Sequence, residues 1–359
     1  MKKMRIFGMV CMAGLLAFAS SCKKEDTKEV TSVELSAPEA FAYNQADGER
    51  AYITIPGVFW WNANDEIVVY NLSDQFAQSK RSIFHNVTGH AQRARFAGPS
   101  VGPRKPLGFR FFFPVGMVDW NFNEGNGDLA NENREHFIVS EWQNYAAYDD
   151  NGHQPSLVDP DAMPMAIDPY KITDNCTLQH MFGVASIQMR ADVGDTIYVK
   201  EVQLEDEVFN LWGTCSVKLH NVDTAHLRTT WEEYVYGDMT QFETYFAQYI
   251  TGNGSESIGW LSNGQGKTLR MDCTHKNAAG QDVYVMLYNG QDNNTTQFNF
   301  MVRPLACSQG IKVRVIFDDD TMIELNNWDS EHKPAGLLKM KAIQPHLISS
   351  YNFGVIAKP

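Results

Sequence analysis

The sequence predicts an exported, all-β protein with two domains. Many short segments alternate apolar and polar residues with a period of two, which is the pattern of half-buried strands. The chain of 359 residues exceeds the size of one typical domain. Its N-terminus has the layout of an export signal. Together these observations indicate a β-rich protein that works outside the cytoplasm.

The export signal resembles that of a bacterial lipoprotein. Residues 1–5 carry three basic side chains, and residues 6–18 form an apolar core. That core is shorter than the roughly 20 residues that a membrane-spanning helix needs. Small residues precede Cys22, as in a lipobox. An ordinary secretory signal that carries a cysteine by chance is the alternative.

In the lipoprotein interpretation, residues 1–21 are a signal peptide that is removed before Cys22. Cys22 then carries the lipid, and residues 22–29 form a charged tether. Two or more acyl chains hold a protein stably on a membrane, whereas one chain is marginal. We therefore expect a location on the cell surface, anchored to the outer membrane.

Charge and motifs exclude several functions. The net charge is −13 and no stripe of lysine or arginine occurs, so no nucleic-acid partner is expected. No GxSxG elbow, HExxH helix or cluster of metal ligands appears. Asp318–Asp320 could hold calcium, but a solvated turn is favoured. We expect no enzyme, no catalytic residue, no metal and no cofactor.

Four cysteines follow the lipid site: Cys176, Cys215, Cys273 and Cys307. None forms a CxxC pair, which disfavours a zinc or thioredoxin-like site. Export permits disulfides, but so sparse a set is optional for the stability of a long chain. Disulfides and buried free thiols remain equally open alternatives.

The first half, residues 30–192, is predicted to form an N-terminal β-domain. Its strand candidates are Val30–Ala37, Ala51–Pro56, Ile67–Tyr70, Arg81–Val87, Ala94–Ala97, Phe109–Val115 and Leu178–Met189. The last candidate is long and mostly apolar, so we expect both of its faces to be buried. Polar stretches at 119–133 and 144–161 are predicted to be surface loops.

The second half, residues 193–359, begins again with strands and forms the C-terminal β-domain. Its strand candidates are Thr196–Leu204, Val208–Trp212, Cys215–Leu219, Val283–Tyr288, Phe298–Val302, Ile311–Phe317 and Tyr351–Val355. One short helix is predicted between Asp238 and Gly252, because aromatic residues follow helical spacing there. The last strand either completes its own sheet or is available to another molecule.

The order of several motifs resembles the fimbrillin family of Bacteroidetes, surface lipoproteins related to the FimA- and Mfa-type pilins. The matching segments are Ala19–Lys24, Trp61–Tyr70, Phe96–Gly98, Phe113–Pro114, Met163–Met165, Leu178–His180, Phe300–Pro304 and Tyr351–Phe353. Asn64 departs from the family, which often has glycine before the Asp65 position. Each motif is weak, and their order carries the resemblance.

The resemblance implies two tandem β-sandwich domains of transthyretin-like build and a role in a fimbria-like filament. In such pilins a trypsin-like protease removes the N-terminal segment, and the opened groove accepts a strand from a neighbouring subunit. Carried over, the Arg50-Ala51 bond is the candidate cleavage position. Tyr351, Phe353 and Val355 are the candidate donor residues. The partners would be other fimbrial subunits, in a homopolymer or a heteropolymer, and surface ligands of host or bacteria in adhesion.

The alternative function is a monomeric surface lipoprotein that binds glycan or host protein. Trp120, Trp142 and Tyr145, in or beside the polar loops, could supply stacking surfaces for it. The position of the subunit in a filament, whether stalk, anchor or tip, is open at this point.

Overall fold

A computed structural model describes most of the chain after residue 27. The described residues are 28–37, 42–43, 60–72, 80–103, 108–120, 134–146, 158–167, 175–206, 210–218, 258–260, 266–277, 279–303, 305–306, 311–326, 342–343 and 347–359. They contain β-strands and two short 3-10 helices, Val115–Met117 and Pro160–Ala162. The predicted all-β fold is therefore confirmed. The helix predicted between Asp238 and Gly252 lies outside the described residues.

The strands are numbered in chain order. The first ten are β1 Ser32–Ser36, β2 Ala42–Tyr43, β3 Glu66–Leu72, β4 Lys80–Asn86, β5 Arg93–Ala97, β6 Gly108–Phe113, β7 Arg134–Val139, β8 Trp142–Asn144, β9 Met165–Ile167 and β10 Asn175–His180. The others are β11 Gly183–Arg190, β12 Tyr198–Asp206, β13 Gly213–Lys218, β14 Ile258–Trp260, β15 Thr268–Asp272, β16 Thr274–Lys276, β17 Asp282–Met286, β18 Thr296–Val302, β19 Leu305–Ala306, β20 Ile311–Phe317, β21 Met322–Asn326, β22 Ala342–Ile343 and β23 Leu347–Val355.

Seven strands of the first half close into a ring. Their order is β1-β10-β9-β6-β3-β4-β5, and β5 pairs again with β1. The ring encloses a first core in which the buried Trp61 meets Phe96 and Phe113 edge to face, with ring centroids 5.0 and 5.5 Å apart. Such aromatic contacts add to the apolar area that the core buries. The ring is closed because β1 pairs with β5 on one side and with β10 on the other.

A second core lies between two further sheets. One has the order β18-β11-β23-β2, and the other joins β16, β17, β12, β15 and β8, with β20 paired to β12 and β21 paired to β20. In β20, Ile311, Val313, Val315 and Phe317 are all buried, whereas the residues between them are half-buried. This alternation is what the sequence predicts for a strand with one face on a core.

Strand β11 belongs to both units. Val184 faces the first core, whereas Ala185, Ile187 and Met189 face the second. The single strand predicted over Leu178–Met189 is instead two strands, β10 and β11, because the chain leaves the ring at the buried pair Met181-Phe182. The expected burial of both faces is observed in β11, where seven of eight residues are buried.

Strand pairing also crosses residue 192, where the sequence suggested the domain junction. Strand β7 pairs with β13, and β8 pairs with β15. Within β8, the side-chain amide of Gln143 donates to the carbonyl of Met301 at 2.8 Å and accepts from its N–H at 2.8 Å. The side chain of Gln143 thus satisfies the N–H and C=O groups of Met301 in β18, as the backbone of a neighbouring strand would.

Candidate functional site

The candidate site is the slot that β1 fills between β5 and β10. Strand β1 pairs antiparallel with β5 over five residues, from Ser32↔Ala97 to Ser36↔Arg93. On its other side it pairs parallel with β10 over three residues. These two neighbours are separated by many residues of sequence, so β1 is the piece that closes the ring.

The inward face of β1 carries two aliphatic residues. Val33 is 5% exposed and Leu35 is fully buried, and both belong to the first core. Their register neighbours on β5 are Phe96 and Ala94, which are also fully buried. Burying two such side chains contributes about 3–6 kcal/mol in total. The inserted strand is therefore held mainly by two side chains and two ladders of hydrogen bonds.

The outward face of β1 contacts two arginines of β5. Arg93 donates from Nη2 to Glu34 Oε2 at 2.8 Å, and Arg95 donates from Nη2 to Ser32 Oγ at 3.1 Å. The side chains of Arg93 and Glu34 are each about half exposed. Exposed ion pairs contribute little stability, so these contacts act mainly on the choice of partner.

Backbone hydrogen bonds continue beyond both ends of β1. Val30 donates to the carbonyl of Gly102 at 3.1 Å, and Ala37 donates to that of Gln92 at 2.6 Å. Beside this path stands Gly98, where an added Cβ would lie 2.5 Å from the carbonyl oxygen of Ile83. Only glycine allows so close a backbone approach.

The N-terminal segment also reaches the second unit. Strand β2 runs parallel to β23, with Ala42 opposite Leu347 and Tyr43 opposite Ile348. Residues 38–41 separate β2 from Ala37, the residue after β1. The segment 28–43 therefore contributes one strand to the ring and one to the sheet that contains β23.

The candidate donor residues lie in β23, which completes its own sheet. Tyr351 is fully buried in the second core, Phe353 is half-buried against that core, and Val355 is 47% exposed. The strand runs parallel to β11, and the register shifts near Gly354, whose φ is +70°. Of the two possibilities left open by the sequence, this structure shows the strand paired within its own chain.

Ion pairs hold the segment after β23 against the turn between β20 and β21. Lys358 Nζ lies 2.8 Å from Asp318 Oδ1 and 2.8 Å from Asp319 Oδ2. Hydrogen bonds from Lys358 and Thr321 lower the pKa of Asp319 to about 2. Hydrogen bonds to Asp318 and then to Asp319 raise the pKa of Lys358. Asp320 pairs with Lys200. The three carboxylates considered for calcium thus have lysine partners in a turn between β20 and β21.

The aromatic candidates of the alternative function differ in their exposure and contacts. The guanidinium of Arg81 lies 4.6 Å from the ring centroid of the half-buried Trp120. Tyr145 packs on Phe298 in the second core, with centroids 5.4 Å apart. Trp142 is 46% exposed. Trp142 is the most exposed of the three, and the guanidinium of Arg270 lies over its ring, 5.4 Å from the centroid.

Sequence reasoning missed an exposed pair, Trp60 and His90, whose rings stack with centroids 5.0 Å apart. Close by, burial raises the pKa of Asp65 to about 6, with a smaller contribution in the same direction from the neighbouring Asp161. His90 Nδ1 lies 3.2 Å from Asn62 Oδ1. The apolar run Phe59-Trp60-Trp61 shows no alternation that would separate the exposed Trp60 from the buried Trp61.

Several predicted positions lie outside the described residues, namely Cys22, Arg50, Ala51 and Cys307. Cys215 and Cys273 are free, buried thiols in the two different cores, and burial raises the pKa of both. Across the described segments, no helix has the length and apolarity to cross a membrane. Those same segments bring together no group of three His, Cys, Asp or Glu side chains fit for a metal ion.

The chain is similar to solved structures of fimbrial and adhesion proteins. A proposed cell adhesion protein of Bacteroides ovatus is 9% identical with a TM-score of 0.43, and the match covers 91% of this chain and 92% of that one. The tip fimbrial protein Mfa3 of Porphyromonas gingivalis, truncated at its C-terminus, is 10% identical with a TM-score of 0.33, over 91% and 96% of the two chains. A fimbrial protein of Bacteroides ovatus is 9% identical with a TM-score of 0.32, over 90% of this chain and 49% of that one.

No protein-family model matches the chain, and no curated protein does. At these identities and TM-scores the structural similarities do not by themselves assign a function.

Proposed function

We propose that the chain is a subunit of a fimbria-like filament on the cell surface, assembled by strand exchange and involved in adhesion. The observation that supports this proposal best is the position of β1, the first strand of the described chain. It closes the ring by pairing with both β5 and β10, which do not pair with each other. It does so with only two core side chains, Val33 and Leu35. The role requires no catalytic chemistry and no cofactor.

Loss of β1 would turn the ring into a receptor for another strand. The N–H and C=O groups of β5 and β10 that face β1 would lose their partners, and the places of Val33 and Leu35 would become an apolar groove. Unpaired edges beside a groove are strong templates for an added strand. An incoming strand would satisfy the backbone groups and fill the groove with alternate side chains.

In this proposal Cys22 first anchors the precursor by its lipid, and β1 keeps the ring closed. A trypsin-like cut between Arg50 and Ala51 then releases the anchor together with β1 and β2, since all three precede Arg50. Departure of β2 also frees the edge of β23 beside Leu347 and Ile348. One cut would thus change both units.

The candidate donor is β23, through Tyr351, Phe353 and Val355. To enter a neighbour, it must leave β11 and the second core, and Lys358 must leave Asp318 and Asp319. These contacts would keep the strand in its own sheet until a stronger site is offered. An anchor or tip subunit could keep its N-terminal strand and its lipid, and the slot would then stay closed.

The test compares wild-type and Arg50→Gln chains in surface extracts of producing cells, on unboiled denaturing gels. The wild-type chain should start at Ala51 by N-terminal mass analysis and migrate in bands larger than the monomer. Arg50→Gln should remain monomeric and acylated at Cys22. A wild-type chain that lacks residues 1–50 and yet migrates only as a monomer would refute assembly by strand exchange.

A second candidate function is a monomeric lipoprotein that binds glycan. The 46% exposure of Trp142 favours it, because the part of the ring that the guanidinium of Arg270 does not cover could stack on a sugar. Trp142→Ala should then abolish binding on a glycan array, whereas Trp120→Ala should not. No binding by the wild-type chain would remove this candidate.

A further inference from the structure

The slot carries a positive charge on one wall. Strand β5 has the sequence Arg-Ala-Arg-Phe-Ala, so its outward positions include Arg93 and Arg95 and none is acidic. In the occupied slot these arginines face Glu34 and Ser32 of β1. Opposite charges on facing strands attract, and like charges repel. The outward face of an inserted strand is therefore under electrostatic selection.

The inward wall selects by size. Val33 lies beside Phe96 and Leu35 beside Ala94, all four at 5% exposure or less. Leu35 and these two neighbours on β5 are fully buried. Forcing a larger side chain into a packed core displaces its neighbours and is destabilising. The slot is thus shaped for aliphatic side chains at two positions separated by one residue.

The last strand of the same chain does not match this slot. Its inward residues Tyr351 and Phe353 are aromatic, and Asn352 stands between them where β1 has Glu34. Residues 347–359 include no aspartate or glutamate, and their one charged side chain is Lys358. The segment would place bulky side chains in the aliphatic positions and no negative charge within reach of Arg93 and Arg95.

We propose that the opened slot binds an extended strand with an acidic residue between two aliphatic residues, and that this strand comes from a different subunit. This rests on the opening of the slot under the proposed function. The last strand of a second copy of this chain is rejected by size and by charge. The chain consequently assembles with subunits of a different sequence. Its own β23 enters a slot, on another subunit, that accepts aromatic side chains and requires no acidic residue.

The first experiment measures peptide binding to the protease-treated chain by fluorescence anisotropy. The probes are a peptide of residues 28–37, the same peptide with Glu34→Lys, and a peptide of residues 347–357. The first should bind, and the other two should bind at least tenfold more weakly. With Arg93→Glu and Arg95→Glu in the protein, the Glu34→Lys peptide should bind more tightly than the unmodified peptide, a reversal that loss of folding would not produce.

Binding of the 347–357 peptide as tightly as the 28–37 peptide would overturn the proposal. Self-association of the purified, protease-treated chain into ladders without any other subunit would overturn it as well. Monomeric behaviour of that purified chain, beside large bands in surface extracts, is the expected result. If surface extracts also show only monomer, the filament itself fails, which is a different result.

A second arm uses the intact chain, so that it does not depend on proteolysis. Glu34→Lys alone should increase hydrogen exchange of the β1 and β5 amides several-fold, because a lysine would face two arginines. Adding Arg93→Glu and Arg95→Glu should restore the slow exchange. Failure of the combined variant to restore protection would show that charge does not select the strand.

Discussion

Replacing Leu35 by alanine is expected to open β1 while the second core stays closed. Leu35 is fully buried, and Leu→Ala at buried sites costs about 2–5 kcal/mol. Because a short strand beside Val33 can relax, we take about 3 kcal/mol. With a factor of ten for roughly every 1.4 kcal/mol, the population with β1 detached should rise about 100-fold.

Hydrogen exchange followed by mass spectrometry measures this opening directly. Peptides that contain β5 (Arg93–Ala97) should exchange about 100-fold faster, whereas peptides that contain β20 (Ile311–Phe317) should not change. The matched control is Glu34→Ala, which removes an exposed ion pair on the same strand and should cost at most about 1 kcal/mol. Equal acceleration in β5 and β20 would refute the reasoning, since β1 would then open only when the whole chain unfolds.

Three further predictions follow from charge and burial. Lys358→Ala should speed hydrogen exchange of the residues after β23 several-fold. Acid should have the same effect, because the pKa of Asp319 is lowered to about 2 in the folded chain. A carboxyl group of this kind stabilises the folded state above about pH 4 and loses that effect as the pH falls. Asp65→Asn should stabilise the chain at about pH 7 by about 1 kcal/mol, a value reduced for the partial exposure of the carboxyl group. The reason is that the raised pKa of about 6 makes ionisation of Asp65 costly in the folded state. Near about pH 3, where Asp65 is protonated in the folded state, the substitution should have no effect. Cys215 and Cys273 should resist iodoacetamide until urea unfolds the chain, since burial raises the pKa of both thiols.

Each of these has a control and a contrary outcome. Lys276→Ala removes an exposed ion pair with Asp282 elsewhere and should leave the exchange of the chain end unchanged; an equal effect of both variants would refute the specific role of Lys358. Asp192→Asn, at an exposed position, should leave the free energy of unfolding at about pH 7 unchanged. Alkylation of either cysteine in the folded chain at neutral pH would contradict its burial.

The sequence predicts individual strands well where one face meets a core. Ile311–Phe317 is predicted and observed with the same bounds, because its alternation reports one buried face. Leu178–Met189 is less well predicted, since an apolar run buried on both faces has no period that marks the change of sheet at Met181-Phe182. Hydropathy records burial and does not record which sheet a residue joins.

The candidate site is predictable only in part for the same reason. The strand at Val30–Ala37 can be predicted from its alternation, but its pairing with β5 and β10 cannot, because these partners lie far away in sequence. Arg93 and Arg95 look like ordinary surface charges until the register places them opposite β1, within hydrogen-bonding distance of its outward side chains. The exposure of Trp60 beside the buried Trp61 likewise depends on tertiary packing.

The pair of hydrogen bonds between Gln143 and Met301 has a consequence for the direction of growth. These bonds occupy backbone groups at the β18 edge of the sheet β18-β11-β23-β2. Gln143 follows Arg50 in the sequence, so it stays in the chain after the proposed cut. The opposite edge is covered by β2, which lies upstream and would depart. Proteolysis would therefore expose the edge at β23 and leave the edge at β18 blocked at Met301. The sheet could then be extended from one edge only and would resist edge-to-edge aggregation.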